Sequence, residues 1–169
     1  MIPNIISLSR IFLLIPIIYL ILSGNENLAL LIFILGCFTD FMDGFFARKY
    51  KQESILGENL DLLADKLFIC TLLIFLPFHF DNFSFLFLSI LLIARELAIG
   101  SIRQYFLSIN LVKKSKVNFL GKLKTFFQMI SVGSAIIFMS TSYEYISLIL
   151  LSITLFLAWL SLFIYVRNK

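Results

Sequence analysis

The chain has 169 residues, of which 60% are hydrophobic and 14% charged, with a formal net charge of +4 and a mean hydropathy of +1.00. That leaves too little polar surface to cover a soluble core, which excludes a water-soluble globular domain. The basic excess falls between apolar runs, where it reads as membrane topology, so no nucleic-acid partner is expected.

Six apolar segments follow in chain order, each close to the roughly 20 residues that a bilayer demands. They are predicted as helices, because a barrel would need alternating polar and apolar residues and these runs do not alternate. The first lies near 5–22. Its start, "MIPNIISLSR", has neither a basic region nor a small-residue cleavage site, so it reads as a retained helix. Pro16 is expected to kink it. The second lies near 28–48 and the third near 59–77, where Pro77 is expected to end it. The fourth, fifth and sixth lie near 83–107, 122–141 and 145–166.

The connections alternate in character. "SGNEN", "FHFDN" and "TSYEY" contain no Lys or Arg. The stretch 48–57 carries Arg48, Lys49 and Lys51, and the stretch after 108 carries Lys113, Lys114 and Lys116, which read as a solvated loop beside anionic lipid. The tail ends "RNK". The positive-inside rule makes that side cytoplasmic, with both termini on it. The expected fold is therefore all-α: a polytopic bundle of about six transmembrane helices forming one domain, 1–169. Cys37 and Cys70 lack CxxC spacing and suggest neither metal nor disulfide. His79 reads as an interfacial residue, and Trp159, Tyr143, Tyr145 and Tyr165 as interface anchors.

Four acidic residues break this pattern. Asp40 and Asp43 are spaced i, i+3; Asp61 and Asp65 are spaced i, i+4. Each pair shares one helix face. The two helices flank one short loop, so both pairs fall within about 15 Å of the helix ends, at headgroup level. Four close carboxylates cannot all stay ionised without counter-charge. One solution is an ion-pair network with Lys66 and Arg48 that joins the two helices. The other is a divalent cation, or two; hard oxygen ligands suit magnesium, manganese or calcium rather than zinc. Gly44 and Ala47 would let a ligand or a neighbouring helix approach the backbone closely. Gly57 is expected at the turn that opens the third helix.

Together these residues read DxxDGxxAR, eight residues, then GxxxDxxxD, with Asp40, Asp43, Gly44, Ala47, Arg48, Gly57, Asp61 and Asp65 at the fixed positions. This resembles the signature of the CDP-alcohol phosphatidyltransferases, whose six-helix plan agrees with the spans above. Within that family, "PNIISLSR" at 3–10, "IARELAIGSIRQY" at 93–105 and "GKLKTFFQ" at 121–128 are similar to the bacterial phosphatidylglycerophosphate synthase branch. Ser7 stands where Thr is usual there, and Asn118 where Ser is.

The resemblance implies transfer of the phosphatidyl group of CDP-diacylglycerol to sn-glycerol 3-phosphate, giving phosphatidylglycerophosphate and CMP. It implies two metal ions, Mg2+ or Mn2+, held by Asp40, Asp43, Asp61 and Asp65, with Asp65 also the general base. Asp40, Gly44, Ala47, Arg48 and Gly57 would contact the CDP moiety. It also implies a homodimer, while a short chain without a transit peptide favours the bacterial cytoplasmic (inner) membrane and the basic loops put the active site on its cytoplasmic side. The acceptor's phosphate needs cations. Arg95 and Arg103, near one face of the fourth helix, and Lys122, at the start of the fifth, are the candidates, with Glu96 a partner for Arg95 and Lys124 open between this role and a solvated one. The competing readings are a relative that uses serine, inositol phosphate or a lipid as acceptor, and, in another class, a small cation transporter with membrane aspartates as relays.

Overall fold

The computed structural model describes residues 2–50, 55–108 and 119–167; the side chains of 2–8, 40–50, 55–62, 103, 106–108, 119 and 166 lie outside the described residues. It contains six helices and, among the described residues, no strand: α1 (Ile2–Leu22), α2 (Glu26–Tyr50), α3 (Ile55–His79), α4 (Phe83–Ser108), α5 (Phe119–Phe138) and α6 (Glu144–Arg167). All six expected segments are present, with ends shifted by a few residues.

Two boundaries differ for a physical reason. Pro77 does not end α3 but lies inside it. The N–H it lacks and the clash of its ring both fall on the Leu73 carbonyl one turn earlier, a local loss past which the helix continues to His79. The helix closes instead at Asp81, whose φ of 53° is left-handed, with the Asn82 amide donating to the Pro77 carbonyl at 2.9 Å. Gly57 lies in the first turn of α3 rather than at the turn before it, because the helix already begins at Ile55.

The chain divides into two compact units, 1–73 and 74–169, with α3 contributing to both. In the first unit α1 and α2 pack together. They are joined by a tight turn in which Gly24 takes a φ of 75° and the Asn25 amide closes back on Leu20 at 2.8 Å. Glycine meets that left-handed position without steric cost. The inner row of α1 is Arg10, Leu14, Ile17 and Ile21, all buried. It recurs every three or four residues, as one helix face must. On α2, Ala29, Phe33 and Gly36 form the corresponding row. Phe33 stacks on Phe68 of α3 at 5.7 Å. A Cβ on Gly36 would fall 2.8 Å from the Phe68 ring, so glycine is what lets that ring seat on the α2 backbone.

In the second unit α6 packs against both α4 and α5. Its buried row is Ser147, Leu151, Thr154, Ala158, Ser161 and Tyr165. Steps of four and three along that row keep one seam facing its neighbours. Ser89 on α4 and Gln128 and Ser131 on α5 are buried too. Asn82 ties two helix starts together: its Oδ1 accepts from the Phe85 amide at 2.9 Å, and its Nδ2 donates to Glu144 at 2.7 Å. The interior is thus rich in small and hydroxyl side chains, while the exterior carries large apolar ones such as Phe78, Phe83, Phe87, Phe156 and Phe163. Helices that associate in lipid show this distribution, because close packing rather than expulsion of water joins them. Among the described residues, Phe83–Ile102 and Glu144–Tyr165 are long and apolar enough to cross a membrane, and Ser9–Leu22 and Glu26–Thr39 are shorter apolar stretches. Tyr165 departs from its expected anchoring role. It is buried in the α6 seam, whereas Tyr143, Tyr145 and Trp159 are exposed.

Candidate active site

The acidic motif falls on continuous helix: Asp40, Asp43, Gly44, Ala47 and Arg48 on α2, and Gly57, Asp61 and Asp65 on α3. Of these, the side chain of Asp65 is described; the other seven side chains lie outside the described residues.

Asp65 is half-buried, and its carboxylate Oδ1 is ion-paired with Nη1 of Arg10. Arg10 is 1% exposed, the largest fully buried side chain among the described residues. It reaches Asp65 because it lies on the inner row of α1. The face that brings Leu14, Ile17 and Ile21 into the interior therefore brings the guanidinium with it. The cation on Asp65 thus comes from α1 rather than from the adjacent Lys66. Sequence reasoning gave Arg10 no role. The signal that could have found it was a lone arginine inside the first apolar run, since a charge there is costly unless paired.

A second charged cluster lies in the other unit. Nε of Arg95 donates to the Ala158 carbonyl of α6 at 2.8 Å, and its Nη1 donates to Glu96 Oε1 at 2.8 Å. Nζ of Lys124, on α5, donates to that same oxygen at 2.6 Å. Two cations share one anion, so the cluster carries a net positive charge. Arg95 and Lys124 are both buried, and Nη2 of Arg95 has no hydrogen-bond partner among the described residues. The expected pairing of Arg95 with Glu96 is present. Lys122 is not brought to this cluster and is exposed. Two residues apart on a helix, Lys122 and Lys124 face nearly opposite ways. The Arg103 side chain lies outside the described residues, as do Lys113, Lys114, Lys116 and Asn118 in the connection between α4 and α5. His79 is exposed at the end of α3 and stacks on Phe75 at 5.6 Å.

A family model described as CDP-alcohol phosphatidyltransferase matches residues 1–166. The chain is 35% identical over 136 residues to the CDP-diacylglycerol–glycerol-3-phosphate 3-phosphatidyltransferase of Wigglesworthia glossinidia brevipalpis, covering 79% of this chain and 75% of the relative. Proteins of the same name are 31% identical in Haemophilus influenzae, over 88% of this chain and 80% of that one, and 36% identical in Rickettsia typhi, over 80% and 75%. The family-model match spans residues 1–166 and so extends from α1 into α6. On that evidence the chain belongs to the CDP-alcohol phosphatidyltransferase family.

Proposed function

We propose that the protein transfers the phosphatidyl group of CDP-diacylglycerol to sn-glycerol 3-phosphate, giving phosphatidylglycerophosphate and CMP. The observation that carries this is the eight-position motif on α2 and α3, joined to the activity named for relatives such as those of Haemophilus influenzae and Rickettsia typhi. Enzymes of the family work in phospholipid synthesis at membranes and generally use divalent metal ions.

The donor set suits such an ion. Four carboxylates supply hard oxygens, and the guanidinium already lying on Asp65 marks a carboxylate that takes a cation. Asp40, Asp43, Asp61 and Asp65 would hold it, as one or two ions of magnesium or manganese. Bound there, the metal supplies Lewis-acid stabilisation of the charge developing on the phosphoryl oxygens and the departing CMP.

The protein's own groups do the rest. Asp65 takes the proton of the acceptor's 1-hydroxyl as that oxygen bonds to the phosphorus bearing the diacylglycerol. The bond from this phosphorus to CMP breaks, and the electron pair leaves with CMP. Gly44 and Ala47 leave room for the CDP moiety, Arg48 supplies a cation to it, and Asp40 and Gly57 border it. Arg95 and Arg103 serve the acceptor's phosphate, with Lys124 joined to Arg95 through Glu96, and Lys122 serves it from the exposed face of α5, outside that cluster. In this reading residues 1–169 are one membrane domain in a bacterial inner membrane, with a cytoplasmic site, cytoplasmic termini and a homodimeric assembly. The apolar exterior and the one-sided distribution of basic residues support it.

The test is an assay of purified protein with CDP-diacylglycerol, magnesium and a panel of acceptor alcohols. CMP release that depends on glycerol 3-phosphate is expected. Release that depends on serine or inositol phosphate instead would overturn the acceptor assignment, and no CMP release with any acceptor would overturn the reaction.

A further inference from the structure

Arg10 is an unusual residue to bury. Its neighbours along the inner row of α1 are Leu14, Ile17 and Ile21, and a fourth apolar residue would satisfy packing. A guanidinium in such a place is costly to desolvate unless a paired anion compensates it. It is ion-paired with Asp65, the residue read above as both general base and metal ligand. Here the pair is lopsided, with Arg10 1% exposed and Asp65 38% exposed. The cation is fixed in the interior while the carboxylate faces outward from it.

We infer that Arg10 is a positioning residue that holds the Asp65 carboxylate in place and competes with a divalent cation for it. The inference rests on the reading of Asp65 given under the proposed function. Two effects follow from the geometry. A half-exposed aspartate with no anchor samples several rotamers, and an arginine at Oδ1 selects one of them. A carboxylate has two oxygens and about four lone-pair directions, so a guanidinium at one oxygen still leaves acceptor capacity for a proton or a metal. At the same time, a fixed positive charge beside the acidic motif offsets part of the repulsion among its four aspartates. It therefore weakens their attraction for a second cation. Arg10 gives up some metal affinity in exchange for a fixed base.

These effects have opposite signs on two measurable quantities, which separates them from a packing role. The experiment uses Arg10→Gln and Arg10→Lys in purified full-length protein, with helicity checked by circular dichroism. Manganese binding is measured by calorimetry without substrates, and kcat and KM are measured at saturating metal. Arg10→Gln is expected to bind manganese about three- to tenfold more tightly, since a nearby positive charge is gone. Its kcat is expected to fall about tenfold or more with KM for CDP-diacylglycerol little changed, as loss of orientation requires. Arg10→Lys keeps the charge and loses the fork, so its manganese affinity stays at the wild-type value while kcat recovers only in part.

Manganese affinity that is unchanged or weaker in folded Arg10→Gln would overturn the inference. Should that variant not fold, a changed manganese affinity in Arg10→Lys would overturn it instead. Failure of the proposed reaction is read separately: wild-type protein would then release no CMP, whereas the manganese competition is scored without any substrate.

Discussion

Lys124 on α5 and Arg95 on α4 converge on a single atom, Oε1 of Glu96, at 2.6 and 2.8 Å. Arg95 also holds the backbone of α6 through Ala158, so one carboxylate organises three helices. Replacing it with Gln removes the anion that both buried cations share. Glu96→Gln is expected to cost about 3–5 kcal/mol, the range for breaking a buried pair from one side. Thermal denaturation of the solubilised protein checks this, and an unchanged midpoint would show that the cluster is not structural.

Lys124→Met should be milder. It removes one of two cations and leaves Arg95 and Glu96 matched one to one. Its loss of stability is therefore expected to be smaller than that of Glu96→Gln in the same melting experiment. Equal losses would mean that Lys124, rather than Glu96, is the centre of the cluster.

Lys122 is exposed, and its role as an acceptor cation can be read without interference from folding. Lys122→Met is expected to shift stability by less than about 0.5 kcal/mol, as surface substitutions do. It should raise KM for glycerol 3-phosphate more than KM for CDP-diacylglycerol. The same asymmetry is expected of Arg103→Ala. Steady-state kinetics with each substrate varied in turn decides, and parallel changes in both constants would remove these residues from the acceptor site.

Asp65→Asn keeps the shape of the side chain and removes its capacity as a base. Turnover is expected to fall by at least about two orders of magnitude, the scale of general-base contributions, in a protein that remains helical. Near-normal CMP release would exclude Asp65 as the base. Chelation of divalent ions should abolish CMP release from wild-type protein, and restored magnesium or manganese should recover it.

Gly36→Ala places a Cβ 2.8 Å from the ring of Phe68, which is buried and stacked on Phe33. The ring has little room to move, so overpacking is expected to cost about 1–3 kcal/mol. Phe68→Leu in the same chain should recover part of that loss. A melting temperature unchanged by Gly36→Ala would show that the ring relocates freely.

The sequence alone determined the number of helices, their approximate ends and the spacing of the four aspartates. Each is a property of neighbouring residues: the length of an apolar run, or a repeat of three or four along one helix. It also carried the family motif, whose spacing is local. Which cation meets which anion was decided only by the tertiary structure. Arg10 meets Asp65, although Lys66 adjoins Asp65 in the chain. Lys124 reaches Glu96 across 28 residues, and Arg95 reaches Ala158 across 63. Lys122 and Lys124 are alike in type and two positions apart, yet one is exposed and the other buried. Such pairings depend on which face each helix turns to its neighbours. In an apolar chain every face is nearly as oily as the next, so hydrophobic periodicity gives almost no clue to that choice. Packing of small residues against large ones, as at Gly36 and Phe68, sets the rotation of each helix, and the charges then meet the partners that the rotation presents.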